Sequence, residues 1–138
     1  EELIRPAIFP VCSPDFLAKN GELKQLSELV KLPLLHEDDG TWWNTWLRAN
    51  GIKSKTISDV SYASADQILS LAASGEGVAL TNILLAQHEL QSGQLVRLLP
   101  TDCVLDAYYL LTPNKAHSAD VKAFRQWLIK TIAEHQKN

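Results

Sequence analysis

"SADQILSLAASGEGVALTNILLAQHEL", residues 64–90, spells out a helix, a strand and a second helix in succession. Ser64 and Gln67 stand at the S-x-x-Q spacing of a capping box, and Ile68, Leu71 and Ala72 recur at helical spacing behind them. Gly75 supplies a left-handed stop. "GVALT" is then too short for a helix and wholly apolar before Thr81, as in strands buried within an α/β sheet. "NILLAQHEL" resumes as an amphipathic helix.

Working outward, the same alternation continues on both sides. Downstream, "GQLVRLL" reads as a strand from Gly93, "VLDAYYLLTP" as the last strand, and residues 118–134 as a long closing helix. If Tyr108 and Tyr109 lie on a strand, one ring faces the core and the other the opposite side. Upstream, "SKTISDVSYA" alternates as a half-buried strand and "LPLLH", residues 32–36, is a short buried one. Ser13-Pro14 has the form of an N-cap followed by proline at the first helical position. Leu17, Leu23, Leu26 and Leu29 form an irregular helical patch broken at Asn20-Gly21. "IRPAIFPVCS" contains Pro6 and Pro10, which places this strand at an edge or a crossing point. Alternating strands and helices predict an α/β fold with a mostly parallel sheet flanked by helices.

The closing helix does not fit a complete domain. It sets Val121, Phe124, Leu128 and Ile132 on one face with Trp127 beside them. So wide an apolar stripe needs a surface to cover it, and few strands remain to provide one.

The 138 residues suffice for one compact core. Hydrophobic residues make up 46% and charged ones 21%, which excludes a disordered chain. The net charge of −3 argues against direct nucleic-acid binding by this segment. Apolar runs are too short to span a bilayer, and the acidic start "EELIRPAIFP" lacks the form of an export signal. Its direct entry into strand-like sequence suggests that a longer protein precedes it. Cys12 and Cys103 lack metal or redox spacing, which suits buried, inert thiols in a reducing cytoplasm.

"DDGTWWNTWLRANG", residues 38–51, holds three of the four tryptophans. On a helix capped by Thr41 and ended by Gly51, Trp43, Trp46 and Leu47 share one face while Trp42 points away. A stacking platform for bases calls for interleaved cations. Here Glu37, Asp38 and Asp39 have the wrong sign, so the tryptophans are core, with Trp42 the exception to watch.

Catalytic chemistry finds no footing. His36, His88, His117 and His135 sit in separate elements without metal-ligand spacing, so no metal and no catalytic residue is assigned. "SGEGVAL" precedes its strand rather than following it and is no dinucleotide fingerprint. P-loop and G-x-S-x-G motifs are absent, and no cofactor is expected. Binding is better supported. "SYASADQ" joins a strand end at Tyr62 to a helix start at Ser64, where free N–H groups and the helix dipole favour an anionic group. Ser64 also serves its own helix as cap. Thr81-Asn82 makes a second polar rim.

Together, "PVCSPDFL", "LPLLHEDDGTWWNTWLRANG", "AASGEGVALTNILL", "LQSGQLVRLL" and "AYYLLTPNKAHSADVKAFRQWL" resemble the effector-binding domain of LysR-type transcriptional regulators. The likeness is to the subgroup of the glycine-cleavage activator and the β-lactamase-inducing regulator, and it covers nearly the whole chain. It implies a periplasmic-binding-protein-like fold of two α/β subdomains with a small-molecule effector in the cleft between them. Residues 1–107 would be subdomain II, and residues 108–138 the returning strand and closing helix of an incomplete subdomain I. It further implies effector contacts at Tyr62, Ser64, Ala65, Thr81 and Tyr108. Many relatives have proline where this chain has Asn82. The effector would be anionic or amino-acid- or peptide-like, and the protein a cytoplasmic homo-oligomer that is not an enzyme. DNA would be reached only through an N-terminal winged helix-turn-helix outside this chain. A periplasmic solute-binding protein of an ABC transporter is the alternative on the same architecture.

Overall fold

The computed structural model describes residues 1–53, 63–101 and 103–135. In chain order the elements are β1 (Glu2–Ile4), β2 (Phe9–Cys12), α1 (Pro14–Asn20), a 3-10 turn (Leu26–Lys31), α2 (Thr41–Ala49) and α3 (Ala65–Ala73). There follow β3 (Ala79–Thr81), α4 (Ile83–Ser92), β4 (Val96–Arg97), β5 (Tyr108–Tyr109) and α5 (Ala119–His135). The chain forms two compact units, Pro6–Leu105 and the two terminal segments Glu1–Arg5 with Asp106–Asn138.

Local signals produced most of the helices of the larger unit. Ser13 accepts from the Phe16 N–H at 3.0 Å with Pro14 in the first turn. The capping box at Ser64 and Gln67 is formed, the Gln67 Oε1 accepting from the Ser64 N–H at 3.0 Å. Gly75 takes φ +83° behind α3, a conformation that costs a residue with a Cβ. One cap is displaced. Gly40 at φ 93° is the N-cap of α2, and Thr41 is its first helical residue.

The sheet corrects the expected direction of its strands. Its order is β3-β2-β4, and β2 runs antiparallel to both neighbours. The alternation does make β3 and β4 point the same way, since each follows a helix that returns the chain. They are not neighbours, however, because β2 lies between them and runs the opposite way. Among the described residues the parallel pairing that remains is an isolated bridge of Leu34 with Val78. The mostly parallel sheet is therefore wrong, while the α/β class stands.

The same strand corrects the reading of its prolines. Pro6 does mark a crossing, at the boundary between the units. Pro10 sits in the central strand, opposite Leu80. Its carbonyl accepts from Leu98, just past the end of β4 at Arg97. The N–H that proline lacks would point to that same side, opposite Leu98 at the last rung of the pairing, so a single bond at the end of the ladder is forgone.

The core lies on both faces of this sheet. One side gathers Ile8, Cys12, Phe16, Leu29, Trp43, Trp46, Leu47, Val78 and Leu80, and the other Phe9, Val11, Ile68, Leu69, Ala72, Ala79, Ala86 and Leu95. Trp43 and Trp46 are 1% and 0% exposed and meet edge to face, with ring centroids 5.9 Å apart. Their indole N–H groups donate to Leu35 and Ile8 carbonyls at 2.8 and 2.9 Å, which satisfies the polar end of each buried ring. Trp42 is half-buried against the same cluster. Gly77 is required by packing, since a Cβ there would stand 2.6 Å from the Pro33 carbonyl oxygen.

In the smaller unit β1 pairs antiparallel with β5, and Arg125 meets the Glu1 carboxylate at 2.5 Å. The expected last strand is reduced to Tyr108–Tyr109, and both rings are exposed, 42% and 56%, instead of one facing a core. Helix α5 has no buried residue. Val121, Phe124 and Trp127 are 43%, 56% and 58% exposed, while Leu128 and Ile132 are half-buried.

Candidate functional site

Three helices of the larger unit begin at one end of its sheet. The Leu34–Val78 bridge is parallel, so the chain leaves His36 at the end where β3 finishes, turns through residues 37–40, and starts α2. The Ala63 N–H donates to the His36 carbonyl at 3.2 Å, which brings the start of α3 to that end. Helix α4 starts there because it follows Thr81 directly. Phe9 pairs with Thr81, and Ile8 bridges Cys103. The points at which the chain enters and leaves this unit therefore belong to the same end.

The three helix starts are finished differently. At α2, Asp38 accepts from the Gly40 and Trp42 N–H groups at 2.9 and 3.0 Å, and Asp39 accepts from the Thr41 N–H at 3.1 Å. The Thr41 hydroxyl also donates to Asp39, and these bonds hold the Asp39 carboxyl below its usual range. At α4, Asn82 Oδ1 accepts from both Leu84 and Leu85 N–H groups, at 2.9 and 3.2 Å. At α3 the cap is Ser64, which is exposed. The first-turn N–H groups of Ala65 and Asp66 have no acceptor within the helix, as at any helix start.

Thr81 and Asn82 are each 4% exposed. The Thr81 hydroxyl lies 3.5 Å from the Asn82 carbonyl, at the outer limit of a hydrogen bond. Asn82 has φ −133°, which proline, held near −65°, does not reach. The handover from β3 to α4 thus follows a path that proline would not give. An open groove of about 530 Å³ runs along the outer side of α3, lined by Ala63, Asp66, Gln67, Ser70, Leu71 and Ser74.

Of the predicted contacts, Ser64, Ala65 and Thr81 come together at this end of the larger unit. Tyr108 belongs to the smaller unit. Tyr62, with the strand expected before it, lies outside the described residues. Two residues of this end were not assigned to it from the sequence. Arg97 sets its guanidinium 3.9 Å over the Phe9 ring and donates to the Thr101 carbonyl at 2.9 Å. His36 is 5% exposed, its Nδ1 finds no partner among the described residues, and burial lowers its pKa against the opposing pull of the Asp38 charge. Arg97 had a signal in a cation closing an apolar strand. His36 had none, because one histidine after an apolar run is equally at home in a turn.

Burial also raises the Glu37 pKa, reinforced by Asp38, and this end therefore carries carboxylates beside its helix starts. Among the described residues no cluster of three or more His, Cys, Asp and Glu could hold a metal ion. No helix of those residues is long and apolar enough to cross a membrane. The arrangement offers hydrogen-bond donors and a buried hydroxyl, a binding chemistry.

The family model of the LysR substrate binding domain matches residues 1–133. The chain belongs to this family. The match assigns it to the substrate-binding domain of the LysR type. The glycine cleavage system transcriptional activator of Escherichia coli (strain K12) is 34% identical over 143 residues, covering 99% of this chain and 46% of that protein. The transcriptional activator AmpR of Enterobacter cloacae is 26% identical over 135 residues, covering 96% of this chain and 45% of that protein. The chain thus spans about half the length of the curated relatives it matches. Among solved structures, the effector domain of the transcriptional regulator AmpR of Pseudomonas aeruginosa superimposes with a TM-score of 0.80 at 23% identity. That match covers 98% of this LysR-type chain and 64% of the other. The regulatory domain of CrgA from Neisseria meningitidis gives 0.73 at 24% identity, covering 96% and 68%. At these identities the likeness is one of fold.

Proposed function

We propose that this LysR-type chain takes a small anionic or amino-acid- or peptide-like effector at the end of the sheet where α3 begins and β3 finishes. Ser64, Ala65 and Thr81 are the contacts from the larger unit, and Tyr62 and Tyr108 complete the set. The observation that carries the reading is the convergence there of helix starts, the buried Thr81 hydroxyl and both points where the chain enters and leaves the unit. A carboxylate at the start of α3 would meet N–H donors and the positive end of the helix dipole. In this reading the larger unit, Pro6–Leu105, serves as subdomain II, and Glu1–Arg5 with Asp106–Asn138 as part of subdomain I. The exposed face of α5 is then covered by another copy of the chain or by sequence of the intact protein outside it.

Signalling follows from differential affinity. A ligand moves an equilibrium between two arrangements only by binding one better than the other, and a shift from 1:99 to 99:1 needs about 5.5 kcal/mol of difference. The intact protein would be a cytoplasmic homo-oligomer that reaches DNA through an N-terminal winged helix-turn-helix. Calorimetric titration of the intact protein and of residues 1–138 with amino acids and short peptides tests this. A compound that binds the intact protein at least 100-fold more tightly than the isolated segment is expected. Equal affinity for both would overturn the division of the site between this chain and the rest of the protein.

A further inference from the structure

We propose that Arg97 anchors a free carboxylate of the effector, across the Phe9 ring from the Thr81 hydroxyl. The inference rests on the reading that the effector meets this end of the sheet, and it adds the residue that selects for a carboxylate.

Register sets these groups on one face. Residues paired across an antiparallel ladder point to the same side, as do alternate residues along one strand. Thr81 pairs with Phe9, and Arg97 pairs with Val11, two residues further along β2. All four side chains therefore rise from the face that Ile68, Leu69 and Ala72 of α3 also cover. With the strand order β3-β2-β4, Thr81 and Arg97 flank β2 from opposite sides. Arg97 does not stay over its own rung, for its guanidinium lies 3.9 Å from the centroid of the Phe9 ring, one step nearer Thr81. Neighbouring side chains across a ladder stand about 5 Å apart, so an amino acid or dipeptide can reach both groups.

The cation is fixed without a counter-ion. Its Nη2 donates to the Thr101 carbonyl at 2.9 Å, and the Phe9 ring beneath it is 2% exposed. Arg5 and Arg125 each meet a carboxylate, of Glu2 and of Glu1. Among the described residues, which leave out Asp102, Arg97 enters no ion pair although it is exposed. A guanidinium carries five N–H donors in a planar fork that matches a carboxylate, and one bond to a carbonyl leaves most of them for a ligand. The residue that holds the fork adds an independent sign. Thr101 is 8% exposed, and its hydroxyl oxygen has no partner among the described residues. Buried hydroxyls are rarely left unpaired, and a carboxylate seated on Arg97, or a water ordered with it, supplies the missing acceptor.

The surrounding charge gives the cation its importance. Glu37, Asp38 and Asp39 precede α2, and Asp66 lies in the first turn of α3. An anion entering among these carboxylates needs a fixed positive charge close by, and Arg97 provides it.

Calorimetry on the intact protein tests the assignment, with amino acids and dipeptides each offered as the free acid and as the C-terminal amide. For a compound that binds, wild type should take the acid at least tenfold more tightly than the amide. In Arg97→Gln the acid should fall to the level of the amide, whose own affinity stays within twofold of wild type. Arg97→Lys keeps the charge but not the fork, and should lose at least threefold of the preference; it decides the matter if the glutamine variant does not fold. Equal binding of acid and amide by wild type, a preference undiminished in the variants, or a parallel loss of both ligands would overturn the proposal. Thr81→Val separates this inference from the reading beneath it. If Thr81→Val weakens acid and amide alike while Arg97→Gln keeps the preference, the effector site stands and Arg97 leaves it. If the intact wild type binds no acid and no amide, both fall.

Discussion

The indole nitrogen of Trp46 donates to the Ile8 carbonyl oxygen at 2.9 Å, fastening the middle of α2 to the chain just before the central strand. Both groups are buried, Trp46 at 0% exposure and Ile8 at 5%. Trp46→Phe removes the donor, strands a carbonyl and opens a small cavity, so a loss of about 2–4 kcal/mol is expected. Urea unfolding checks it through a lower midpoint at unchanged slope. A loss under about 0.5 kcal/mol would show that the bond does not hold α2 to the sheet.

Gly77→Ala is expected to destabilise the fold by about 1–3 kcal/mol, since its new methyl would press on the backbone of Pro33 rather than on a side chain able to move. Thermal unfolding measures this directly. A melting temperature equal to wild type would mean that the segment at Pro33 gives way freely.

The two cysteines should differ in reactivity. Cys12 is fully buried, and desolvation pushes its thiol up to about 11. Cys103 is only partly buried. Iodoacetamide at pH 8 should alkylate Cys103 well before Cys12 in the native protein, and both together in urea, as mass spectrometry of the labelled peptides would show. Faster labelling of Cys12 would contradict the packing around β2.

His36 should make stability fall on the acid side of neutrality. Burial lowers its pKa below the ordinary 6.5, so in the window between the two values the unfolded chain binds more protons than the folded one. The stabilisation is whole above 6.5 and is lost as pH falls through the lowered value. Glu37 acts in the opposite sense. Its raised pKa gives stability that is whole below the ordinary 4.5 and is lost as pH rises through the raised value. Urea midpoints at pH 7.5 and 5.5 should differ more for wild type than for His36→Gln. Identical differences would remove His36 from the account.

The helices were readable because each carries its own punctuation. Ser13-Pro14, the Ser64–Gln67 box and Gly75 act within a few residues of where they stand. The tryptophans were readable too, since only one face of α2 suited Trp43, Trp46 and Leu47. Strand direction was not readable in this way. The alternation sets how β3 and β4 run, but nothing local says that β2, far earlier in the chain, comes between them. Pro10 misled because its lost N–H faces only the last rung of the pairing with the β4 segment, at Leu98, where one bond at the end of the ladder is forgone. Of the candidate site, Ser64 and Thr81 followed from element boundaries. His36 and Arg97 joined them only through pairings distant in sequence.

The central claim is that this end of the sheet binds the effector. Thr81→Val probes it with least disturbance, because the change keeps the shape of a buried side chain whose hydroxyl, among the described residues, makes a 3.5 Å contact with its neighbour. For an amino acid or peptide found to bind the intact protein, calorimetry should show affinity falling at least tenfold in Thr81→Val, about 1.4 kcal/mol, with the unfolding midpoint within a few degrees of wild type. Unchanged affinity in this variant and in Ser64→Ala would contradict the account and move the effector elsewhere.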